Sequence, residues 1–309
     1  MGAGNWVFRE ILILTIITLP YQFRITAVNK FTAQIFDHAG NLRGTKFTLD
    51  FGKLNFIDGS GYTVLSNSIA FLQYNGAEVI LRNFKNLQSP AIQYLDDCGF
   101  FRRYLKYQLR QAARVRGTTL PCEPIAHERG FSWIENRLGP WLSYALDVPP
   151  PQLASVRTCV KEVWNNVADH SSVATGFAHA QHYPNMHELK ITLSDFGQGI
   201  PATIKRAFGD MPDHEAISLA TQEGVTSKSR KNNMGAGLAY LTDTIIAKRG
   251  RVRLHSLSGN VTCSCDHRGV RQLTKRRGAG FYPGTLVEIE LDTRLFIGDD
   301  DERGDFEWM

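Results

Sequence analysis

The chain has 309 residues, 43% of them hydrophobic and 21% charged, a balance that supports buried cores and excludes a disordered chain. A formal net charge of +5 is too small over this length to indicate nucleic acid by itself. Cys98, Cys122, Cys159, Cys263 and Cys265 form no regular framework, which fits reduced thiols in a cytoplasmic protein.

The first element is the apolar run "ILILTIITLP". It spans about half a bilayer helix, follows Arg9 and Glu10, and is rich in Ile and Thr, so it reads as a buried strand and not a membrane anchor. Next, Phe47, Leu49 and Phe51 alternate as in a strand, and a glycine-rich turn follows from Asp58 to Gly61. Leu65, Ile69 and Leu72 then fall at helical spacing, Gly76 ends that helix, and "EVILRNF" returns as a strand. "SPAIQYLDDCGFF" reads as one more short helix on the same sheet. Arg102, Arg103, Lys106, Arg110, Arg114 and Arg116 form a run without an acid, which suits a solvated or partner-facing helix better than a nucleic-acid surface.

The turn "FIDGSGYTVL", its helix and "AEVILRNF" resemble the STAS domain, the fold of anti-sigma-factor antagonists. In that family the residue after the turn aspartate is often a serine that becomes phosphorylated. Here that position is Gly59, and Ser60 comes one place later, where it reads more simply as a cap on the following helix. Residues 106–150 read as a connector with an amphipathic helix in "FSWIENRLGPWLSYAL", and Pro149 to Pro151 mark a boundary.

Beyond that boundary Val156, Val160, Val163 and Val167 share a helical stripe suited to packing on a sheet. Glu162 and Asn166 stand one above the other on the neighbouring stripe. In "HELKITLSDFGQGIP", Leu189, Ile191 and Leu193 point inward, and the same parity takes Asp195 to the core side at the strand end. A carboxylate there needs a donor, such as an exocyclic amino group, and Gly197 and Gly199 let the backbone come close to a flat ring. Ile200 and Pro201 follow at once. In "TSKSRKNNMGAGLAYL", a basic loop with Lys228, Arg230 and Lys231 leads to Gly235, Ala236 and Gly237, where Leu238 begins a helix whose N-terminus suits phosphate. "GTLVEIEL" is a strand that turns Thr285 inward with Val287 and Ile289. Cys263, Cys265, His255 and His267 lack the usual metal-ligand spacing and read as structural or incidental.

Two common nucleotide loops, GxxxxGK[ST] and GxGxxG after a strand, are absent from the sequence. The ordered set of E-x-x-x-N at 162–166, D-x-G-x-G at 195–199, G-x-G at 235–237, and Gly284 with Thr285 resembles the Bergerat-fold ATPases of gyrase, the heat-shock chaperone, histidine kinases and MutL. The resemblance implies ATP and magnesium as cofactors, with Asn166 the metal ligand, Asp195 accepting from the adenine amino group, and Gly197, Gly199 and Ile200 shaping the base pocket. It further implies that Lys228, Gly235, Ala236, Gly237 and Leu238 meet the phosphates or form the lid, that Thr285 reaches the base through water, and that Glu162 is the catalytic base.

The expected fold class is therefore α/β of the α+β kind: a STAS-like sheet with helices over 1–105, a connector over 106–150, a Bergerat sandwich with a mixed sheet over 151–295, and an acidic tail over 296–309. With no phosphoacceptor-histidine helix ahead of Leu153, a sensor histidine kinase is disfavoured. The expected function is that of an ATP-dependent serine kinase, or binder, of a regulatory protein partner. The alternatives are an ATPase whose lid closure or dimerisation acts as a switch, possible as a homodimer, and a non-catalytic adaptor.

Overall fold

The computed structural model describes residues 14–170, 175–225 and 237–296. Phe47 and Leu49, buried on the inner face of β3 (Lys46–Asp50), start the N-terminal core. The strand lies parallel between β1 (Leu14–Thr18) and β5 (Glu78–Arg82). The expected buried strand is thus an edge strand: Ile17 is enclosed, whereas Leu14 and Ile16 are 56% and 53% exposed on the outer face. A second parallel pair joins β2 (Gln22–Phe23) to β4 (Phe56–Ile57), and α1 (Val28–Thr32) follows the first of these.

The helix after β4 is α2 (Gly59–Tyr74), and its cap is Asp58, whose carboxylate accepts from the Gly61 N–H at 3.0 Å. Ser60 is therefore not the cap. Every residue from Gly59 to Ile69 is buried, because α2 is covered by both the N-terminal strands and a second sheet. "SPAIQYLDDCGFF" gives two helices, α3 (Pro90–Asp97), capped by Ser89, and α4 (Phe100–Leu105). The basic run is largely irregular: the helix stops at Leu105, and Lys106 takes a left-handed conformation at φ 69°.

The second sheet has five strands in the order β6 (Thr119–Ala126), β7 (Thr175–Tyr183), β8 (Glu188–Ser194), β10 (Arg271–Asp292), β9 (Arg251–Cys265). All its pairings are antiparallel, so the expected mixed sheet is not observed. Short turns join β7 to β8 and β9 to β10, and only antiparallel neighbours can be joined that way. The sheet's first strand comes from the stretch read as connector. Between β6 and β7 lie α5 (Gly130–Trp133), a π turn over Ile134–Leu138, α6 (Gly139–Leu146) and α7 (Ala154–His170). The π turn sits just ahead of Pro140, whose missing N–H and bulky ring disturb the regular ladder.

After β8 come α8 (Ile200–Phe208), α9 (Asp213–Ala220) and α10 (Gly237–Ala247). One face of the five-stranded sheet, with Leu189, Ile191, Leu193, Leu254, Val287 and Ile289, packs on Val156, Val160 and Val163 of α7 and on Leu241 and Ile245 of α10. The other face carries His179, Thr192 and Glu288, all buried by the N-terminal unit. Ser60 on α2 bonds Thr192 Oγ1 at 3.1 Å and donates to the Glu288 carboxylate, which also pairs with Arg253. Phe177, Phe196, Tyr282 and Leu286 belong to the N-terminal core, so the two units share one packed interior.

Candidate functional site

The expected site residues gather on the side of the sheet that faces α7 and α10. On α7, Val163 and Trp164 turn inward, and the Trp164 indole donates to the His127 carbonyl at 3.1 Å, fixing the helix's rotation. That rotation leaves Glu162 and Asn166 half-buried on the adjoining stripe. Gly237, the first residue of α10, meets both. A Cβ there would lie 3.2 Å from Glu162 Oε2 and 3.3 Å from Asn166 Nδ2, so the backbone at the start of α10 approaches the two side chains closely.

At the end of β8, the Asp195 N–H donates to the Thr285 carbonyl at 3.0 Å, which fastens the strand end to β10. The side chain is only 3% exposed. Among the described residues its carboxylate takes one hydrogen bond, from the Gly197 N–H. Desolvation pushes the carboxyl up to about 7, and the hydrogen bond from the Gly197 N–H opposes that shift only in part. A buried acid with spare acceptor capacity is suited to receive a donor from a ligand.

Two glycines make the approach possible. Gly284 has φ 76°, and a Cβ there would sit 2.3 Å from the Asp195 carbonyl oxygen. Gly199 has φ 81°, and a Cβ there would sit 2.5 Å from Ser256 Oγ. Ser256 is a site residue that the sequence reading missed. Its hydroxyl donates to the Gly284 carbonyl at 2.6 Å, accepts from the Ile200 N–H at 3.1 Å, and lies 3.4 Å from Thr285 Oγ1. It ties the D-x-G-x-G turn to the Gly284–Thr285 turn. A signal existed, since Val252, Leu254 and Ser256 alternate toward the same face.

Ile200, which opens α8, and Leu238, on α10, both pack against the main core and against the small cluster of Ile204, Ala216 and Ala220. The structure thus gathers Glu162, Asn166 and Gly237 in one group and Asp195, Gly199, Gly284 and Thr285 in another, with Gly197 donating to Asp195. Lys228, Gly235 and Ala236 lie outside the described residues.

The Asn166 side-chain oxygen, close to the backbone at the start of α10, is a hard donor of the kind a magnesium ion would take together with phosphate and water. Among the described residues no group of three or more His, Cys, Asp or Glu side chains is arranged to hold a metal ion. His255 is buried and pushed down to about 4, by desolvation first and then by Arg253 and Arg276.

Ser60 is fully enclosed and engaged with Glu288 and Thr192, out of reach of a phosphoryl donor in this conformation. The adjacent Gly59 is explained by packing: a Cβ would fall 2.4 Å from His179 Nδ1. A side chain at that position would push α2 off β7. Much of the basic run is also engaged. Arg110 pairs with Asp96 and Asp97, Arg116 pairs with Asp97, and Arg103 donates to the Cys122 carbonyl at 2.8 Å. A cavity of about 410 Å³ lies elsewhere, between α3 and the end of β7, with Phe56, Tyr94, Arg116, Tyr183 and Met186 among its lining residues. None of the expected nucleotide-binding residues lines it.

No helix among the described residues is long and apolar enough to cross a membrane. No protein-family model matches the chain, and no curated protein matches it.

Proposed function

We propose that the face of the five-stranded sheet toward α7 and α10 binds magnesium ATP, in the manner of the Bergerat-fold ATPases that the motifs resemble. The observation that carries this reading is the convergence of residues far apart in the chain: Gly237 against Glu162 and Asn166, and Gly284, Thr285 and Gly199 around Asp195. In this reading Asp195 would take the adenine amino group, and Asn166 with the phosphates would hold the magnesium ion. The ion, when bound, offsets phosphate charge. Glu162 stands one helical turn from Asn166, placed to accept a proton from an attacking water or hydroxyl near the terminal phosphate.

Two uses of such a site remain in contention. Resemblance to the anti-sigma serine kinases favours phosphoryl transfer to, or ATP-dependent binding of, a separate regulatory protein. The other use is ATP turnover that drives lid closure or dimerisation; the burial of Ser60 argues only that the N-terminal unit is not itself the phosphoacceptor. Calorimetry with magnesium ATP on the wild type and on Asp195→Asn tests the site. Absence of wild-type binding, or equal binding by the variant, refutes the base-pocket assignment. Labelled ATP incubated with cell lysate then separates label on a protein from label released as free phosphate.

A further inference from the structure

The loop that supplies Asp195 is held from behind by the N-terminal unit. Asn67, buried on α2, directs its side-chain amide at two acceptors contributed by the C-terminal unit. Nδ2 donates to the Asp195 backbone carbonyl at 3.3 Å and to the Tyr282 hydroxyl at 2.9 Å. The Tyr282 hydroxyl lies in turn 2.5 Å from Ser194 Oγ. Because an amide nitrogen only donates, the Tyr282 oxygen accepts from Asn67 and its own proton is free to go to Ser194, the residue just before Asp195. The amide orientation is fixed by chemistry: turned over, its oxygen would face the Asp195 carbonyl and repel it. In the observed orientation Asn67 Oδ1 has no partner among the described residues, so the site leaves one buried acceptor unsatisfied there.

One helical turn further along α2, Phe71 packs against Phe196 with ring centroids 5.3 Å apart, and Phe177 closes on the same ring at 6.4 Å. Two residues of one helix, spaced i and i+4, therefore grip two consecutive residues of the loop. Leu189, Ile191 and Leu193 face α7 and α10, and the same parity turns the Asp195 side chain away from α2, so nothing on α2 needs to touch a ligand to control where that carboxylate stands.

We propose that Asn67 is a positioning residue for the nucleobase pocket, holding the Asp195 main chain, through its carbonyl and through Tyr282 and Ser194, in the register that receives an exocyclic amino group. The proposal rests on the assignment of Asp195 to adenine. It makes the N-terminal unit a structural part of the nucleotide site, and it places the coupling between the two units at one amide.

The test uses the full chain and two nucleotides that differ only at the group Asp195 would contact: ATP and purine riboside triphosphate, which lacks the 6-amino group. Wild type should prefer ATP. Asn67→Leu, close in volume but without donors, should lower that preference about tenfold, because a displaced carboxylate loses a charge-assisted bond, while affinity for the amino-free analogue stays the same. Tyr282→Phe keeps the ring and loses the hydroxyl. It should shift the preference in the same direction by a smaller factor, and it serves as the readout if Asn67→Leu does not fold. A purely structural role for Asn67 predicts equal losses for both nucleotides, and that result overturns the proposal. If the wild type itself does not distinguish the two nucleotides, the adenine assignment falls and the proposal falls with it.

Discussion

Asp195 should make the folded protein less stable than it would be with an uncharged residue at the same position, by an amount that depends on pH. Its carboxyl is raised from 3.8 to about 7 by burial, so the folded state holds the proton more tightly than the unfolded chain does. Stability therefore falls as pH rises from about 4 to 7 and levels off above. A shift of this size corresponds to about 4 kcal/mol lost once the group is ionised in both states, with about half of that accruing between pH 5.5 and pH 8.5. Asparagine fits the same space, can accept the Gly197 N–H through its oxygen, and cannot ionise. Urea unfolding of the wild type and of Asp195→Asn near those two pH values should show the variant's advantage growing by about 2 kcal/mol toward the alkaline side. Taking the difference between the two proteins removes other titrations, such as that of Asp58, which burial and Glu288 push up to about 6. A difference that stays constant across the range would mean that Asp195 does not titrate as a desolvated acid, and the electrostatic case for its role would fail.

Glu162→Ala should keep ATP binding and lose turnover by about a hundredfold to ten-thousandfold, whereas Asn166→Ala should weaken both; calorimetry and phosphate release distinguish the two. Wild-type turnover in the Glu162 variant would make that carboxylate a surface group and favour a non-catalytic adaptor. Ser60→Ala should destabilise the protein by about 1–3 kcal/mol, since Glu288 and Thr192 lose a buried partner, and Ser60→Asp should cost more by setting a second carboxylate against Glu288; thermal unfolding reads both. Phosphopeptide mapping after incubation with ATP should find Ser60 unmodified. Gly284→Ala should weaken nucleotide binding and stability together, because both the positive φ and the contact with the Asp195 carbonyl resist a side chain.

What the amino-acid pattern revealed was whatever repeats at short range. The valine stripe of α7 and the Leu189, Ile191, Leu193 alternation of β8 put Glu162, Asn166 and Asp195 on the faces where they are found. Gly199 was legible as a point of close backbone approach and Gly284 as a member of the ordered motifs, whereas the positive φ that each adopts belongs to the fold. The edge character of β1 was not legible, because Leu14 and Ile16 look as apolar as Ile17 and only the strand order exposes them. Nor was the polar face of α2. Ser60 and Asn67 in an apolar helix resemble a solvated stripe, and their partners Glu288 and Tyr282 lie more than two hundred residues away in the chain. β6 was missed for a related reason: "TLPCEPIA" has two prolines and no clean alternation, and its place at the sheet edge is set by β7.

The enclosure of α2 between two sheets also constrains the order in which the molecule can be made. Ser60 and Glu288 are separated by 228 positions, so the helix cannot reach its final surroundings until β10 has emerged from the ribosome. Contacts of such sequence separation are formed late and slow the folding of the whole chain. Until then the early-synthesised half exposes a helix whose Ser60 and Asn67 lack their partners Glu288 and Tyr282 and whose apolar neighbours lack a cover. That intermediate is a natural client for a chaperone, and truncations ending before residue 292 should behave as the intermediate does.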